Sequence, residues 1–285
     1  MSKVAVITDS TAYLPAELID KYNITITPLS IIWEEQNYQD GVDIQPADFY
    51  KRLSVAKVMP TTSQVTIASM KSAFENRLEQ GYDVLGIFLS SKFSGTVQSA
   101  LQAREMLPDA ADKITIVDSL STTMAMGWPV LTAARAAQAG ENLAACQKVA
   151  ENARDHSGVL FVVENLEFLR RGGRIGGAQA LMGTILNIKP VLEMRDGQIE
   201  PVDRIRTKTK ALERILELAV DRMAGKTPVR IATVHANAEA EAAQLLKVTA
   251  VQLNPVESYC CPLSPVVGNH AGPGTVALTY MAGIS

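Results

Sequence analysis

Short segments rich in hydroxyl side chains recur along the first half of the sequence, where strand-like runs end or helix-like runs begin. They are Thr8-Asp9-Ser10-Thr11, Thr61-Thr62-Ser63-Gln64, Ser90-Ser91, Ser94-Gly95-Thr96 and Asp118-Ser119. Each hydroxyl can donate one hydrogen bond to an anion, and a helix that begins near Thr96 would add its free backbone N–H groups. A single Ser or Thr at such a place usually caps a helix, so only the convergence of several favours an anion site.

Motifs that are absent from the sequence limit which anion these segments could bind. The phosphate-binding pattern G-x-x-x-x-G-K-S/T is absent, and the first strand-like run is not followed by G-x-G-x-x-G. The segment around Ser94, KFSGT, lacks the first glycine of the G-x-S-x-G hydrolase turn. A neutral, hydroxyl-rich turn suits a single carboxylate, held by charge-assisted hydrogen bonds. A serine hydrolase that acts on acyl esters through Ser94 and His270 remains the alternative, although no acid that would orient the histidine is evident.

Two later segments combine glycine with charged or titratable side chains. VVGNHAGPGTVAL, residues 266–278, places three glycines around His270; they let the backbone approach a ligand closely, or form only a tight turn. LEFLRRGGRIGG, residues 166–177, opens a basic stretch, because residues 170–214 hold ten Lys or Arg against five Asp or Glu. Such a stretch is usually a solvated face; the alternative is a docking surface for a phosphate-bearing partner or an anionic membrane.

The elements that must position these segments indicate an α/β protein. In the first half, nearly continuous apolar runs alternate with helical patterns, which predicts a parallel sheet covered on both faces. The predicted strands are 4–10, 24–33, 83–90 and 113–119, and the predicted helices include 66–80, 97–107 and 123–139. Ligands bind outside the carboxyl ends of parallel strands, which is where the hydroxyl-rich segments lie.

The pattern changes near residue 157. Six strand-like segments follow, interrupted by two predicted helices at about 207–224 and 237–252. Asp196-Gly197 is a favoured tight-turn pair and predicts a hairpin between two of these strands. We therefore predict a second unit, an α/β arrangement with a mostly antiparallel sheet.

Composition excludes several classes of protein. The chain has 285 residues, of which 47% are hydrophobic, so it can build a large core. Its net charge of -3 gives no indication of nucleic-acid binding. Three cysteines, two of them adjacent, fit a reducing compartment, and neither they nor the three histidines have the spacing of a metal site. Without a leader pattern or an apolar run of bilayer length, we expect a cytoplasmic protein.

Seven strings together resemble the DegV family. They are TDSTAYLP, YQDGVDI, TTSQ, SSKFSGT, IVDS, LRRGGRI and NHAGPG, in the order seen in that family and spanning residues 8–274. The resemblance implies a three-layer α/β/α domain with a parallel sheet in residues 1–157. It also implies an α/β domain with a mostly antiparallel sheet in residues 158–285, with the ligand site between the two.

DegV-like proteins are bacterial fatty-acid-binding proteins, and several serve as the binding subunit of a fatty acid kinase. The resemblance therefore implies a non-catalytic protein without cofactor or metal, which holds a fatty acid such as palmitate, stearate or oleate. It would present the acyl carboxylate to a separate kinase subunit, which makes an acyl phosphate for phospholipid synthesis. The basic stretch adds the expectation of transient contact with an anionic membrane.

The matching motifs assign roles to residues of this sequence. Thr62 and Ser94 look like the hydroxyls that bind the carboxylate, and His270 looks like the histidine that reaches it. The resemblance implies that Thr61, Ser63, Gly95 and Thr96 lie beside them. The arginines associated with the kinase partner and with phosphoryl transfer would be Arg171, Arg174 and Arg206.

Overall fold

The computed structural model describes residues 3–182 and 188–284. Its strands are β1 (Lys3–Asp9), β2 (Thr25–Thr27), β3 (Ser30–Trp33), β4 (Gln36–Gln39), β5 (Thr61–Ser63), β6 (Tyr82–Phe88), β7 (Ile114–Asp118), β8 (Ser157–Val162), β9 (Lys189–Arg195), β10 (Gln198–Ile205), β11 (Val229–His235), β12 (Glu257–Pro262) and β13 (Val276–Ala282). Its helices are α1 (Ala16–Lys21), α2 (Pro46–Leu53), α3 (Ile67–Glu79), α4 (Thr96–Glu105), α5 (Thr123–Gln138), α6 (Leu143–Asp155), α7 (Glu167–Arg171), α8 (Lys208–Met223), α9 (Glu239–Leu253) and α10 (Pro265–Ala271).

The first half builds a parallel sheet with strand order β2-β1-β6-β7. Helices α3 and α4 pack on one face, and α5 and α6 pack on the other. The apolar runs of β1 and β6 are almost wholly buried because both faces of the sheet are covered. The three-layer arrangement confirms the predicted fold class for this half.

The second half builds a six-stranded sheet with the order β10-β9-β8-β13-β11-β12. Every neighbouring pair is antiparallel except β11 and β12, which run parallel. Asp196 and Gly197 have φ angles of 50° and 79°, which are the left-handed values that a two-residue hairpin turn requires. The mostly antiparallel sheet and its hairpin are therefore confirmed.

One helix holds the two large sheets together. Helix α5 contacts β1 and β6 of the parallel sheet and β8 and β13 of the antiparallel sheet, while α8 and α9 cover the far face of the latter. The largest cluster of buried apolar side chains consequently contains residues from both halves of the chain. The boundary predicted at residue 157 coincides with the start of β8, but the division into two domains stays a prediction.

The prediction of one strand over residues 24–33 was wrong. Strand β2 ends at Thr27 in the parallel sheet, whereas β3 belongs to a separate three-stranded antiparallel sheet with the order β4-β3-β5. Pro28 lies between them; it has no backbone N–H and cannot continue a hydrogen-bonded ladder. The chain therefore leaves the first sheet here, and β5 brings Thr61, Thr62 and Ser63 alongside β3.

The glycine-rich segment around His270 contains a helix rather than only a turn. Pro265 occupies the first turn of α10, where a missing N–H does no harm, and the Ser264 hydroxyl accepts a hydrogen bond from Val267 N at 3.3 Å. The helix ends at Ala271 and is followed by Gly272, whose φ of 81° is unfavourable for other residues. His270 therefore lies on the last turn of a short, capped helix.

Asp40 joins this helix to the other elements. Its Oδ2 accepts hydrogen bonds from Ser10 Oγ at 2.7 Å, just after β1, and from Ser264 Oγ at 2.9 Å, at the start of α10. Burial raises the pKa of Asp40 from 3.8 to about 7, and the two serine hydrogen bonds offset this only in part. A single nearly inaccessible carboxyl thus connects the end of β1, the end of β4 and the start of α10.

Asp40→Asn is expected to change how stability depends on pH. Because the pKa is higher in the folded chain, only the folded state binds the proton between about pH 4 and about pH 7, so Asp40 lowers stability as pH rises through that window. The variant lacks this titration. Its free energy of unfolding should therefore rise, relative to that of the unsubstituted protein, by about 1.4 kcal/mol for each pH unit in this window. Urea unfolding at several pH values measures the difference. Parallel stability curves for the two proteins would contradict a titrating Asp40.

Candidate functional site

A cavity of about 220 Å³ lies between the parallel sheet, the three-stranded sheet and the antiparallel sheet. For comparison, an apolar cavity of about 150 Å³ is enough to hold benzene in another protein. The wall of the 220 Å³ cavity is formed mostly by apolar side chains from both halves of the chain, including Leu29, Leu89, Phe93, Val159, Phe161, Leu169, Met194, Ile199, Val266, Val267 and Ala277. Such a wall accommodates an apolar ligand, and the few polar residues in it fix the orientation of that ligand.

One polar part of the wall is made by Thr62 and His270. Thr62 is the middle residue of β5, and its Oγ1 lies 2.8 Å from Nε2 of His270 on α10. Ser63 also lines the cavity, whereas Thr61 is exposed and is not among the lining residues. The three-stranded sheet and α10 thus bring together a hydroxyl and an imidazole that are 208 positions apart in the sequence.

The second polar part is the turn between β6 and α4. Ser94 and Gly95 line the cavity, and Ser94 Oγ lies 2.9 Å from Oγ1 of the buried Thr96. Gly95 precedes the first residue of α4, and a Cβ atom there would lie only 2.3 Å from Gln64 Oε1. Thr96 is not among the residues that line the cavity, and its backbone N–H donates to Ser94 Oγ at 3.3 Å. Of this turn, Ser94 and Gly95 therefore face the cavity, at the start of a helix whose first N–H groups have no partner within the helix.

His270 is neutral at ordinary pH. Burial, together with the positive charge of nearby Arg174, lowers its pKa from 6.5 to about 4. The ring packs against Gly172, where a Cβ atom would lie 2.0 Å from Nδ1. That Nδ1 has no hydrogen-bond partner among residues 3–182 and 188–284, so no carboxylate of this part of the chain orients the imidazole.

Of the three predicted arginines, Arg174 lines the cavity, whereas Arg171 and Arg206 do not. Arg174 lines the cavity; its Nε donates to the Phe93 carbonyl at 3.1 Å and its Nη1 donates to the Gly172 carbonyl. Arg171 is exposed and forms an ion pair with Glu167 at 2.6 Å. Arg206 is also exposed and is not among the residues that line the cavity. Only Arg174 can therefore act directly on a ligand in the cavity.

The remaining hydroxyl-rich segments serve turns rather than the cavity. The buried Asp9 carboxylate accepts from Thr11 N at 2.9 Å and from Leu89 N at 2.7 Å, which fixes the turns after β1 and β6. Burial raises the pKa of Asp9 to about 6 despite these bonds. Ser90 Oγ donates to the Gly197 carbonyl at 2.8 Å, and Ser119 Oγ donates to the Ser121 carbonyl at 3.1 Å. Asp9 and Ser119 therefore stabilise local turns, and Ser90 joins the turn after β6 to the hairpin between β9 and β10.

Sequence reasoning from the residues missed the apolar wall. Phe161, Leu169 and Ile199 line the cavity, but each lies in an apolar segment that looks like ordinary core. Gln64 was named only as part of a motif, although its side-chain amide donates to Ser99 Oγ at 3.2 Å and packs against Gly95. No spacing in the sequence distinguishes a residue that faces a cavity from one that faces another side chain.

A comparison with known protein families shows to which family this chain belongs. The model of the family described as "Uncharacterised protein, DegV family" matches residues 3–283. The chain belongs to the DegV family. A DegV domain-containing protein of Clostridium perfringens is 36% identical to this chain over 281 residues, which are 97% of this chain and 98% of that protein.

Solved structures of other members share the fold of this DegV protein. One, described as "Fatty Acid Binding of a DegV family Protein from Thermus thermophilus", has a TM-score of 0.93 and 34% identity, and the match covers 98% of this chain and 99% of that one. A stearic acid-binding protein from Eubacterium ventriosum has a TM-score of 0.91 and 25% identity, with 100% and 99% of the chains covered. In the part of this chain that the structure describes, no helix is long and apolar enough to cross a membrane.

Proposed function

We propose that this DegV protein binds a long-chain fatty acid in the cavity and presents its carboxylate to a separate kinase subunit. The observation that carries the proposal is a mostly apolar cavity whose wall also holds Thr62, Ser94 and His270, with Thr62 Oγ1 2.8 Å from His270 Nε2. The description of the Thermus thermophilus and Eubacterium ventriosum proteins as fatty-acid-binding supports the same ligand class. A saturated or monounsaturated acid such as palmitate, stearate or oleate has the matching chemistry.

The acyl chain supplies most of the binding free energy in this proposal. Burial of a methylene group contributes about 0.8 kcal/mol, so a long acyl chain gains roughly 10 kcal/mol. Loss of translational freedom and of chain flexibility offsets a part of this gain. The polar region therefore determines which end of the ligand lies at Thr62 and Ser94, more than how tightly the ligand binds.

The polar region would hold the carboxylate through neutral donors and one cation. The hydroxyls of Thr62 and Ser94 and the first N–H groups of α4 can donate to its oxygens. His270 is neutral and can donate from a ring nitrogen, while Arg174 contributes positive charge at the cavity wall. Because the sequence lacks a nucleotide-binding motif, the proposed phosphoryl transfer depends on the partner, which the exposed Arg171 and Arg206 could contact. Exchange of the acid with a membrane is part of the same proposal.

The geometry does not favour the alternative of a serine hydrolase. The Ser94 hydroxyl pairs with Thr96, while Nε2 of His270 pairs with Thr62. Nδ1 of His270 also lacks the acidic partner that a catalytic triad requires, within residues 3–182 and 188–284. A histidine whose pKa lies near 4 is moreover a weak base for activation of a hydroxyl.

An ester assay separates the two functions. We expect p-nitrophenyl palmitate to be hydrolysed no faster with the protein than with Ser94→Ala or with buffer, because no general base within residues 3–182 and 188–284 is hydrogen-bonded to the Ser94 hydroxyl, which pairs with Thr96. Retention of free palmitate by the same protein sample, measured after gel filtration, serves as the positive control for binding. Turnover that disappears in Ser94→Ala would contradict the proposal and restore the hydrolase.

A further inference from the structure

A second cavity of about 170 Å³ lies beside the first one. It is bounded by the end of β7, the start of α5, the end of α6 and the start of β8, with Ser119, Ser121, Arg154, Asp155 and Gly158 in its wall. Arg154 Nε lies 2.9 Å from Asp155 Oδ1, and its Nη1 donates to the Asp118 carbonyl at 3.3 Å. This second cavity is therefore polar, in contrast to the apolar first cavity.

Met194 contributes to the walls of both cavities. It lies on β9 opposite Ile199 of β10, which lines only the first cavity, and it is half-buried. No residue of β5, α4 or α10, the elements that carry the predicted head-group residues, is among those that line the second cavity. Met194 thus lies where the apolar cavity meets a polar space that none of these three elements lines.

We infer that Met194 sets the upper limit of the acyl chain length that the cavity accepts. This inference rests on the proposed binding of fatty acids. With the carboxylate at Thr62 and Ser94, a longer chain can extend only until its methyl end meets the Met194 side chain. Methionine is unbranched and flexible, so it can close such a passage without imposing a rigid shape on the cavity.

Replacement of Met194 should change the length of the bound acid in a direction set by the size of the new side chain. Met194→Ala removes the thioether and leaves apolar space at this end of the first cavity, so acids longer than the usual limit are admitted. Met194→Phe adds volume at the same place and should exclude the longest acids that the unsubstituted protein binds. Met194→Leu nearly conserves volume and serves as the matched control, because such exchanges disturb packing little.

The test is a competition for one binding site. Each protein is loaded from an equimolar mixture of saturated acids of about 12 to 22 carbons, and the bound acids are extracted and quantified. For Met194→Ala we expect the ratio of acids above the usual limit to acids at the limit to rise about fourfold, because the space left by the thioether can bury about one further methylene, which favours binding by about fourfold. Met194→Phe should shift the distribution towards shorter acids, and Met194→Leu should leave it unchanged.

The outcomes separate this inference from the proposed function. If every protein binds fatty acid with the same length distribution, Met194 does not set the limit, while fatty-acid binding stands. If the unsubstituted protein binds none of the acids, both proposals fail. If Met194→Ala does not fold, the comparison of Met194→Phe with Met194→Leu still tests the inference. A length distribution of bound acids that is unchanged in Met194→Phe overturns it.

Discussion

Thr62→Ala and Ser94→Ala are expected to slow acyl-phosphate formation about a hundredfold while the protein still binds fatty acid. Loss of one hydrogen bond to a charged group weakens binding by about 1.5–3 kcal/mol, which is small beside the roughly 10 kcal/mol from the acyl chain. Transfer of a phosphoryl group is more demanding, because a carboxylate displaced by about 1 Å can react about a hundredfold more slowly. Trapping of the acyl phosphate with hydroxylamine, in the presence of ATP and a cognate kinase subunit, measures this step.

Thr61→Ala provides the matched control for these variants. Thr61 lies next to Thr62 on β5, but its side chain is exposed and does not line the cavity. This variant should form acyl phosphate at the rate of the unsubstituted protein and should bind the acid equally well. Full activity of both Thr62→Ala and Ser94→Ala would show that these hydroxyls do not position the carboxylate.

Val267→Trp is expected to reduce fatty-acid affinity by more than about a hundredfold. Val267 is a half-buried residue of α10 and lines the cavity, so an indole ring there occupies space that the acyl chain needs. A ligand that can no longer bury several methylene groups loses about 0.8 kcal/mol for each of them. Displacement of a fluorescent fatty acid measures the affinity, and circular dichroism verifies that the variant is folded.

Val202→Trp is the control for the added bulk. Val202 lies on β10, is also half-buried, and packs with the residues under α8 on the other side of the antiparallel sheet. The same substitution there should leave affinity within about threefold of the original, because the site does not adjoin the cavity. Equal affinity of Val267→Trp and the unsubstituted protein would place the acyl chain somewhere other than this cavity.

The parts of the fold that were predictable have strong local signals. The strands β6 and β7 are apolar runs bounded by polar turns. The hairpin at Asp196 and Gly197 contains the dipeptide Asp-Gly, which is a strong signal for a two-residue hairpin turn. The three-stranded sheet had no such signal. Strand β5 is Thr-Thr-Ser, without apolar alternation, and β3 was merged with β2 because both are rich in β-branched residues.

The candidate site was predictable only in part. The clustering of hydroxyl residues in the sequence predicted Ser94 as a site residue. Gly95 and Thr96 follow it because they begin helix α4. The contact between Thr62 and His270 depends on pairing between distant segments, and it came from the family resemblance rather than from any local pattern. The positions of Arg171 and Arg206 away from the cavity could not be predicted from charge, because a basic stretch does not reveal which of its side chains point inward.

The measurement that tests the central claim most directly is native mass spectrometry of the protein purified from a bacterial host, followed by extraction and identification of any bound acid. We predict one molecule of fatty acid of about 14 to 18 carbons on each chain, and its absence from Val267→Trp purified in the same way. A protein that carries no acid, and that also fails to take up added palmitate or oleate, would contradict the account.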